Sequence, residues 1–168
     1  MPDDDPLPEV HFRAFRPQDY PRLLAAIDCL QALVQWSGPL FRFPLDDAQL
    51  EAYRVSALGE ESTRRIYTAC DGSGRPVGHI ELNEIDGYSA RVCRVLTDPP
   101  FRGRGFGRAT VRQALRVAFD EMRLQRVDLG VFDFNTDAIR CYELEGFVKE
   151  GHLRQARRVV NETWSLDL

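Results

Sequence analysis

The chain has no apolar run approaching the roughly 20 residues that a membrane-spanning helix requires; its longest are only a few residues. A membrane-spanning helix is therefore not expected. The opening MPDDDPLPEV is acidic and proline-rich, without the basic flank and apolar centre of a signal peptide, so the protein is expected to be cytoplasmic, with residues 1–8 as a disordered tail. Positive charge is not in excess either: 22 Lys and Arg against 26 Asp and Glu leave a net charge of -4, the wrong sign for a dedicated nucleic-acid binder. Any basic patch must be local. The four cysteines, Cys29, Cys70, Cys93 and Cys141, form no CxxC pair and have no neighbouring histidine to complete a zinc site, so no metal is expected. They read as free, buried thiols in a reducing compartment. No repeat and no linker divides the chain, and residues 1–168 read as one domain.

What remains is an ordinary globular composition, 43% hydrophobic and 29% charged over 168 residues. A chain of this size buries roughly 70% of its unfolded surface, enough for a core without disulfides or metal.

The hydrophobic periodicity orders the elements. VHFRAF, 10–15, alternates as a strand, and a helical pattern through Leu23, Leu24, Ile27, Leu30 and Val34 runs to about Trp36. WSGPLFRFP, 36–44, is an aromatic-rich loop. Asp46 with Gln49 resembles a capping box for a helix over 47–58. Strands follow at 64–70, 76–85 and 89–98, then an amphipathic helix over 107–123, a strand at 126–134 and a helix at 136–146 ended by Gly146. FVKEG and about 159–167 complete the list as strands. A three-strand antiparallel meander joined to a βαβ crossover predicts a mixed-sheet α/β domain. Pairing Glu81 opposite Cys93 across the Asp86-Gly87 turn puts Ile80 and Leu82 on one face with Ala90, Val92 and Leu96, and His79 and Glu81 on the other face with Arg91.

One segment stands out between a predicted strand and the first turn of a strong helix: TDPPFRGRGFGRAT, residues 97–110. Its glycines, Gly103, Gly105 and Gly107, do not fit the dinucleotide fingerprint, because Arg108 occupies the place of the third glycine, and no Gly-Lys-Ser/Thr is present to make a P-loop. A plain turn accounts for the glycines but not for where they fall. At a helix N-terminus the amides are unsatisfied and the dipole is positive, so glycines there let a phosphate approach closely. Arg102, Arg104 and Arg108 add charge-assisted contacts. An RNA-binding arginine-glycine segment is the rival reading, though such segments are normally longer and disordered.

Arg102-Gly103-Arg104-Gly105-Phe106-Gly107 matches the Q/R-x-x-G-x-G/A signature, and Asn135, Ala138, Tyr142, Glu143 and Gly146-Phe147 match an N-x-x-A-x-x-x-Y-E-x-x-G-F segment. By these two motifs the chain resembles the GNAT superfamily of N-acetyltransferases, closely over about residues 76–150. The resemblance implies a mostly antiparallel central sheet with a splayed parallel strand pair, flanked by about four helices. It implies acetyl-CoA as the cofactor: the pantetheine arm on the backbone of Val95, Leu96 and Thr97, the pyrophosphate on the amides of Arg102 to Arg108, and Asn135 near the cofactor. Val95 would also stabilise the thioester oxyanion. Tyr142 corresponds to the tyrosine that protonates, or hydrogen-bonds, the departing sulfur; packing in the core is its plainer role.

Two glutamates used as bases in branches of the family are replaced here by Arg91 and Gly130. Glu81 is the substitute base read from the strand register, then His79, then Asp133, with a partly neutral amine and no protein base as a further alternative. Arg91 reads equally as a structural partner of a carboxylate. The first helices and their loop would wall the acceptor site, so Trp36, Phe41, Phe43 and Tyr53 either line an aromatic pocket or belong to the core, and Asp46, Asp47 and Glu51 are candidates for attracting a cationic amine. The implied activity is acetyl transfer to a primary amine, on a small molecule or a peptide. The alternative is a non-catalytic CoA-binding module of the same fold. Neither a nucleic acid nor a membrane is an expected partner, and a homodimer is left open.

Overall fold

A computed structural model describes residues 6–168. In chain order the elements are β1 Val10–Ala14, α1 Tyr20–Ala26, α2 Leu30–Ser37, α3 Asp47–Val55, β2 Arg65–Asp71, β3 Pro76–Asn83, β4 Ser89–Thr97, α4 Phe106–Arg116, β5 Arg126–Leu129, β6 Val131–Phe132, α5 Thr136–Leu144, β7 His152–Val159 and β8 Glu162–Asp167. Strands β1 to β5 form one sheet in sequence order, antiparallel except for the parallel β4–β5 pair. This is the expected mixed sheet. A second sheet, ordered β6-β8-β7, was not expected.

Helices pack on both faces of the main sheet. One face carries Phe15, Leu23, Leu33, Trp36, Leu50 and Tyr53 from α1 to α3 and the loop before them. The other joins Ile80, Leu82 and Val92 to Ala114 and Ala118 from α4 and the turn that continues it. Among the described residues no helix is long and apolar enough to cross a membrane. Of the tail expected over 1–8, residues 1–5 lie outside the described residues, and Leu7 packs against the cluster of Val10, Ala69, Val77 and Phe101.

The departures from sequence expectation have local causes. The first predicted helix is two, because the chain leaves helical geometry at Ile27 (φ -111°, ψ 79°) and Cys29 restarts it, its sulfur accepting from the Ala32 amide. Apolar spacing runs through that break unaltered, so five α-helices stand among the described residues where about four helices were expected. Cys29 is accordingly exposed, whereas Cys70 is buried, and Cys93 and Cys141 are half-buried. Asp46 caps α3 through the Gln49 amide (2.9 Å), but the Gln49 side chain donates to the carbonyls of Arg42 and Pro44 instead of closing a capping box. The predicted strand at 126–134 breaks at Gly130 into β5 and β6, which belong to different sheets. FVKEG is not a strand; β7 begins at His152 and runs through HLRQARRV, whose mostly exposed polar residues show no alternation to read.

Candidate active site

The predicted pairing of Glu81 with Cys93 holds, as do Leu82 with Val92 and Asn83 with Arg91. Beyond Cys93 the register slips by one residue, so that His79 faces Leu96 and Gly78 faces Thr97. Arg94 is the inserted residue, with φ +51°, a left-handed conformation unusual for a side chain of this size. The bulge reverses the faces that follow it. Leu96, expected beside Ile80 and Leu82, packs instead with the Trp36 and Tyr53 cluster, and Val95 takes the Ile80 side. Gly78 makes room for the bulge: a Cβ there would lie 2.5 Å from the Leu96 carbonyl oxygen.

On its other edge β4 pairs with β5 only over Ser89–Val92, against Arg126–Leu129. From Cys93 onward the strands diverge, because Gly130 turns the chain toward β8. A side chain at Gly130 would press on Leu166 at 3.0 Å. The divergence opens a cleft of about 1020 Å³ through the sheet, lined by Cys93 to Thr97 and Gly130 to Phe132 and reached by Trp36 from one face and Tyr142 from the other.

At one end of the cleft lies the glycine turn. Gly103 (φ +70°) and Gly105 (φ +82°) are left-handed, and Gly105 caps α4. The amides of Phe106, Gly107 and Arg108 have no acceptor within the helix. Gly107 packs its backbone against Thr97, where a Cβ would meet Oγ1 at 3.0 Å. Arg102, Gly103, Gly105, Gly107, Arg108 and Asn135 line the cleft. Asn135 precedes α5, and its side chain makes no capping bond. The other two arginine and aromatic members point elsewhere: Arg104 lies over the rings of Phe101 and Phe106 (5.6 and 5.5 Å), and Phe106 is buried against Phe101. Arg108 is ion-paired to Glu145 at 2.5 Å, which Arg112 also contacts.

Tyr142 lies on α5, half-buried, its ring edge-on to Phe147 with centroids 5.8 Å apart. Burial, with the thiols of Cys141 and Cys93 nearby, raises its pKa above the ordinary phenol value of about 10. The hydroxyl therefore keeps its proton across the neutral range.

Glu81 and His79 have a different setting from the one expected of a base. Both are fully buried and neither lines the cleft. The Glu81 carboxylate is held by Arg94 through two nitrogens, by Arg64 Nε at 2.8 Å and by the Tyr53 hydroxyl, which donates to it at 2.6 Å. Since that hydroxyl has one proton, the His79 Nε2 at 3.1 Å must donate to its oxygen, which leaves Nδ1 unprotonated and without a protein partner. Burial and the cations of Arg22 and Arg94 lower the His79 pKa to about 3, against the opposing pull of Asp19. A general base must reach its proton directly or through one water, and here Glu81 and His79 are both enclosed behind the cleft wall with their partners already in place. Asp133, the third candidate, is exposed in the turn that follows β6 and does not line the cleft. Arg91 pairs with Asp128 at 2.7 Å, the structural role that the sequence left open.

Of the aromatic wall only Trp36 reaches the cleft, its indole Nε1 donating to the Arg94 carbonyl at 2.9 Å. Phe41 stacks on Trp36 and abuts Tyr53, so both belong to the core, and Phe43 is exposed. Asp46 is used by the cap, and Glu51 by Arg54 and Tyr20. Sequence reasoning missed Arg94, Asp28 and Arg157. All three line the cleft. None lies in a recognisable motif, and two of them come from a helix break and a strand that periodicity did not reveal.

The sequence model of the Acetyltransferase (GNAT) family matches residues 30–147. An uncharacterized N-acetyltransferase of Bacillus subtilis, the SPbeta prophage-derived YokL, is 30% identical over 149 residues, 85% of this chain and 78% of that protein. A spermidine N(1)-acetyltransferase of Vibrio cholerae is 33% identical over 95 residues, and the match spans 55% of this chain and 54% of that enzyme. The crystal structure of spermidine N-acetyltransferase from Vibrio cholerae in complex with CoA and spermine superposes with a TM-score of 0.81 at 23% identity, covering 94% of this chain and 92% of that one. At that identity the likeness speaks for the fold. With the family match, the relatives and the splayed-strand cleft in agreement, the chain belongs to the GNAT family of acetyltransferases.

Proposed function

We propose that the protein transfers the acetyl group of acetyl-CoA to a primary amine by direct attack within a ternary complex. The observation that carries this reading is the cleft between β4 and β5, with a glycine turn and helix N-terminus at one end and Tyr142 in its wall. The donor's pantetheine arm runs along the unpaired edge of Val95, Leu96 and Thr97, as an added strand would. Its diphosphate rests on the amides of the glycine turn and of the first turn of α4, with Arg102 adding charge and Asn135 contacting the arm from α5. Arg108, committed to Glu145, contributes chiefly through its amide.

In the reaction the amine nitrogen forms a bond to the acetyl carbon, the carbon–sulfur bond breaks, the amine loses one proton and the sulfur gains one. The Val95 amide faces the developing oxyanion. Tyr142 serves the sulfur. Its raised pKa makes complete proton transfer to a thiolate, of pKa about 8.5, more uphill than for an ordinary phenol, so it acts by hydrogen-bonding the forming thiolate. With Glu81 enclosed, the amine reaches the thioester neutral, any ammonium proton having passed to water; the proton that its nitrogen sheds on acylation also goes to water, water protonates the departing thiolate, and positioning supplies much of the acceleration. The Vibrio cholerae relatives named for spermidine support an amine as acceptor.

Free CoA release with a panel of primary amines tests the reading. Wild-type protein should release CoA with at least one of them, and Tyr142→Phe should lower kcat by about 10- to 100-fold while leaving acetyl-CoA affinity intact. Equal turnover by the variant would remove Tyr142 from the chemistry, and a wild type that neither binds CoA nor releases it would end the proposal.

A further inference from the structure

The cleft wall carries six arginines, Arg91, Arg94, Arg102, Arg108, Arg140 and Arg157, against two acids, Asp28 and Asp137. Most of the positive charge has a use already. Arg91 and Arg94 are neutralised by Asp128 and Glu81, and Arg108 by Glu145. Arg102 sits at the glycine turn, donating to the Thr97 carbonyl at 3.1 Å. Arg140 is on α5, the helix that follows Asn135 and that carries Tyr142.

Arg157 differs from these. It projects from β7 of the second sheet and lines the cleft with Leu166 and Phe132. Its side chain is exposed, and its guanidinium donates to the carbonyl of its own neighbour, Ala156, at 2.8 Å, with no carboxylate partner among the described residues. A guanidinium fork lining a ligand cleft without an internal anion is a ready receptor for a planar or tetrahedral oxyanion. Asp28, at the junction of α1 and α2, lines the cleft with Trp36 and Pro39 and is exposed. Asp137 lies in the first turn of α5, on the element assigned to the donor.

The geometry points to an acceptor that carries a carboxylate or phosphate beside its amine, with Arg157 binding that oxyanion. The inference rests on the proposed N-acetyltransferase activity and narrows its substrate class. A linear polyamine or an aminoglycoside presents several cations and would call for several carboxylates in the wall. The acids that the sequence offered for that purpose, Asp46, Asp47 and Glu51, do not line the cleft. Asp28 suits a single ammonium, and Arg157 a single anion, which together describe a zwitterion.

The test compares kcat/KM at saturating acetyl-CoA for an α-amino acid, its carboxamide, an aminoalkyl phosphate, spermidine and an aminoglycoside, with CoA affinity measured separately by calorimetry. The amino acid or the aminoalkyl phosphate should exceed the neutral carboxamide by about 10- to 100-fold, as charge-assisted hydrogen bonds to an oxyanion imply, and whichever leads identifies the anion. Arg157→Ala should abolish that margin by raising the acceptor KM with CoA affinity unchanged, and Arg157→Lys should keep part of it. Spermidine or the aminoglycoside ranking first would overturn the inference, as would CoA binding without turnover on any of these amines. An Arg157→Ala variant that loses CoA affinity as much as acceptor affinity would place the residue on the donor instead. A wild type that binds no CoA would defeat the proposed activity itself, and this inference with it.

Discussion

Glu81 shows how burial redirects a residue whose chemistry suits catalysis. Its carboxylate is fully enclosed and receives Arg94, Arg64 and Tyr53, so both oxygens are occupied before any substrate arrives. What it fixes is the bulge: Arg94 is the inserted residue, its side chain is tied to Glu81, and its carbonyl is tied to Trp36. The adjoining amide is that of Val95. Breaking a buried ion pair typically costs about 3–5 kcal/mol. Glu81→Gln is therefore expected to lower Tm by on the order of 10 °C while the acidic limb of the pH-rate profile stays where the wild type has it. A displaced limb with an unchanged melting temperature would restore Glu81 as the base.

Among the elements, the turn into α4 and the bulge in β4 do the shaping, and glycine is needed at specific points in both. Gly105 takes φ +82° as the cap of α4, a conformation that costs another residue about 1–2 kcal/mol. Gly105→Val should consequently weaken CoA binding at least 10-fold, because the side chain intrudes where the diphosphate approaches the amides, with only a few degrees lost in Tm. Titration calorimetry beside a melting curve separates the two effects; undiminished CoA affinity would mean that the turn does not hold the diphosphate. The second sheet is the other decisive element. By drawing β6 toward β8 it separates β5 from β4 and brings Arg157 to the cleft.

For the molecule as a whole, the polar layer between the sheet and helices α1 to α3 makes stability depend on pH. His79 is neutral in the fold, with a pKa near 3, against about 6.5 when unfolded. Between those values the unfolded chain binds the additional proton, so this group's contribution is complete above pH 6.5 and declines as the pH falls toward 3. Asp19, Asp71 and Glu51, whose pKa values are lowered by their hydrogen bonds and cations, act in the same direction but only as the pH falls through the carboxylate range. From about pH 6.5 to 5 the slope from His79 amounts to roughly 2 kcal/mol. Urea unfolding across that interval should show it, and His79→Gln should flatten it; an unchanged slope in the variant would assign the acid sensitivity elsewhere.

The sequence by itself determined what is local or periodic. Alternation and helical spacing gave the meander and crossover, the Asp86-Gly87 turn set the Glu81–Cys93 register, and the glycine turn before α4 with NTDAIRCYELEGF marked the family. These signals survive in one dimension because each depends on near neighbours along the chain. The tertiary structure alone decided the rest. Apolar spacing continues unbroken across Asp28 and Cys29, so the helix break was invisible, and HLRQARRV has no alternating face to announce β7. A one-residue bulge at Arg94 moved Leu96 to the opposite face. Whether Glu81 meets solvent or two guanidiniums, and whether Arg157 meets a cleft, depends on packing between residues far apart in sequence, where a single slip in register reverses every face that follows.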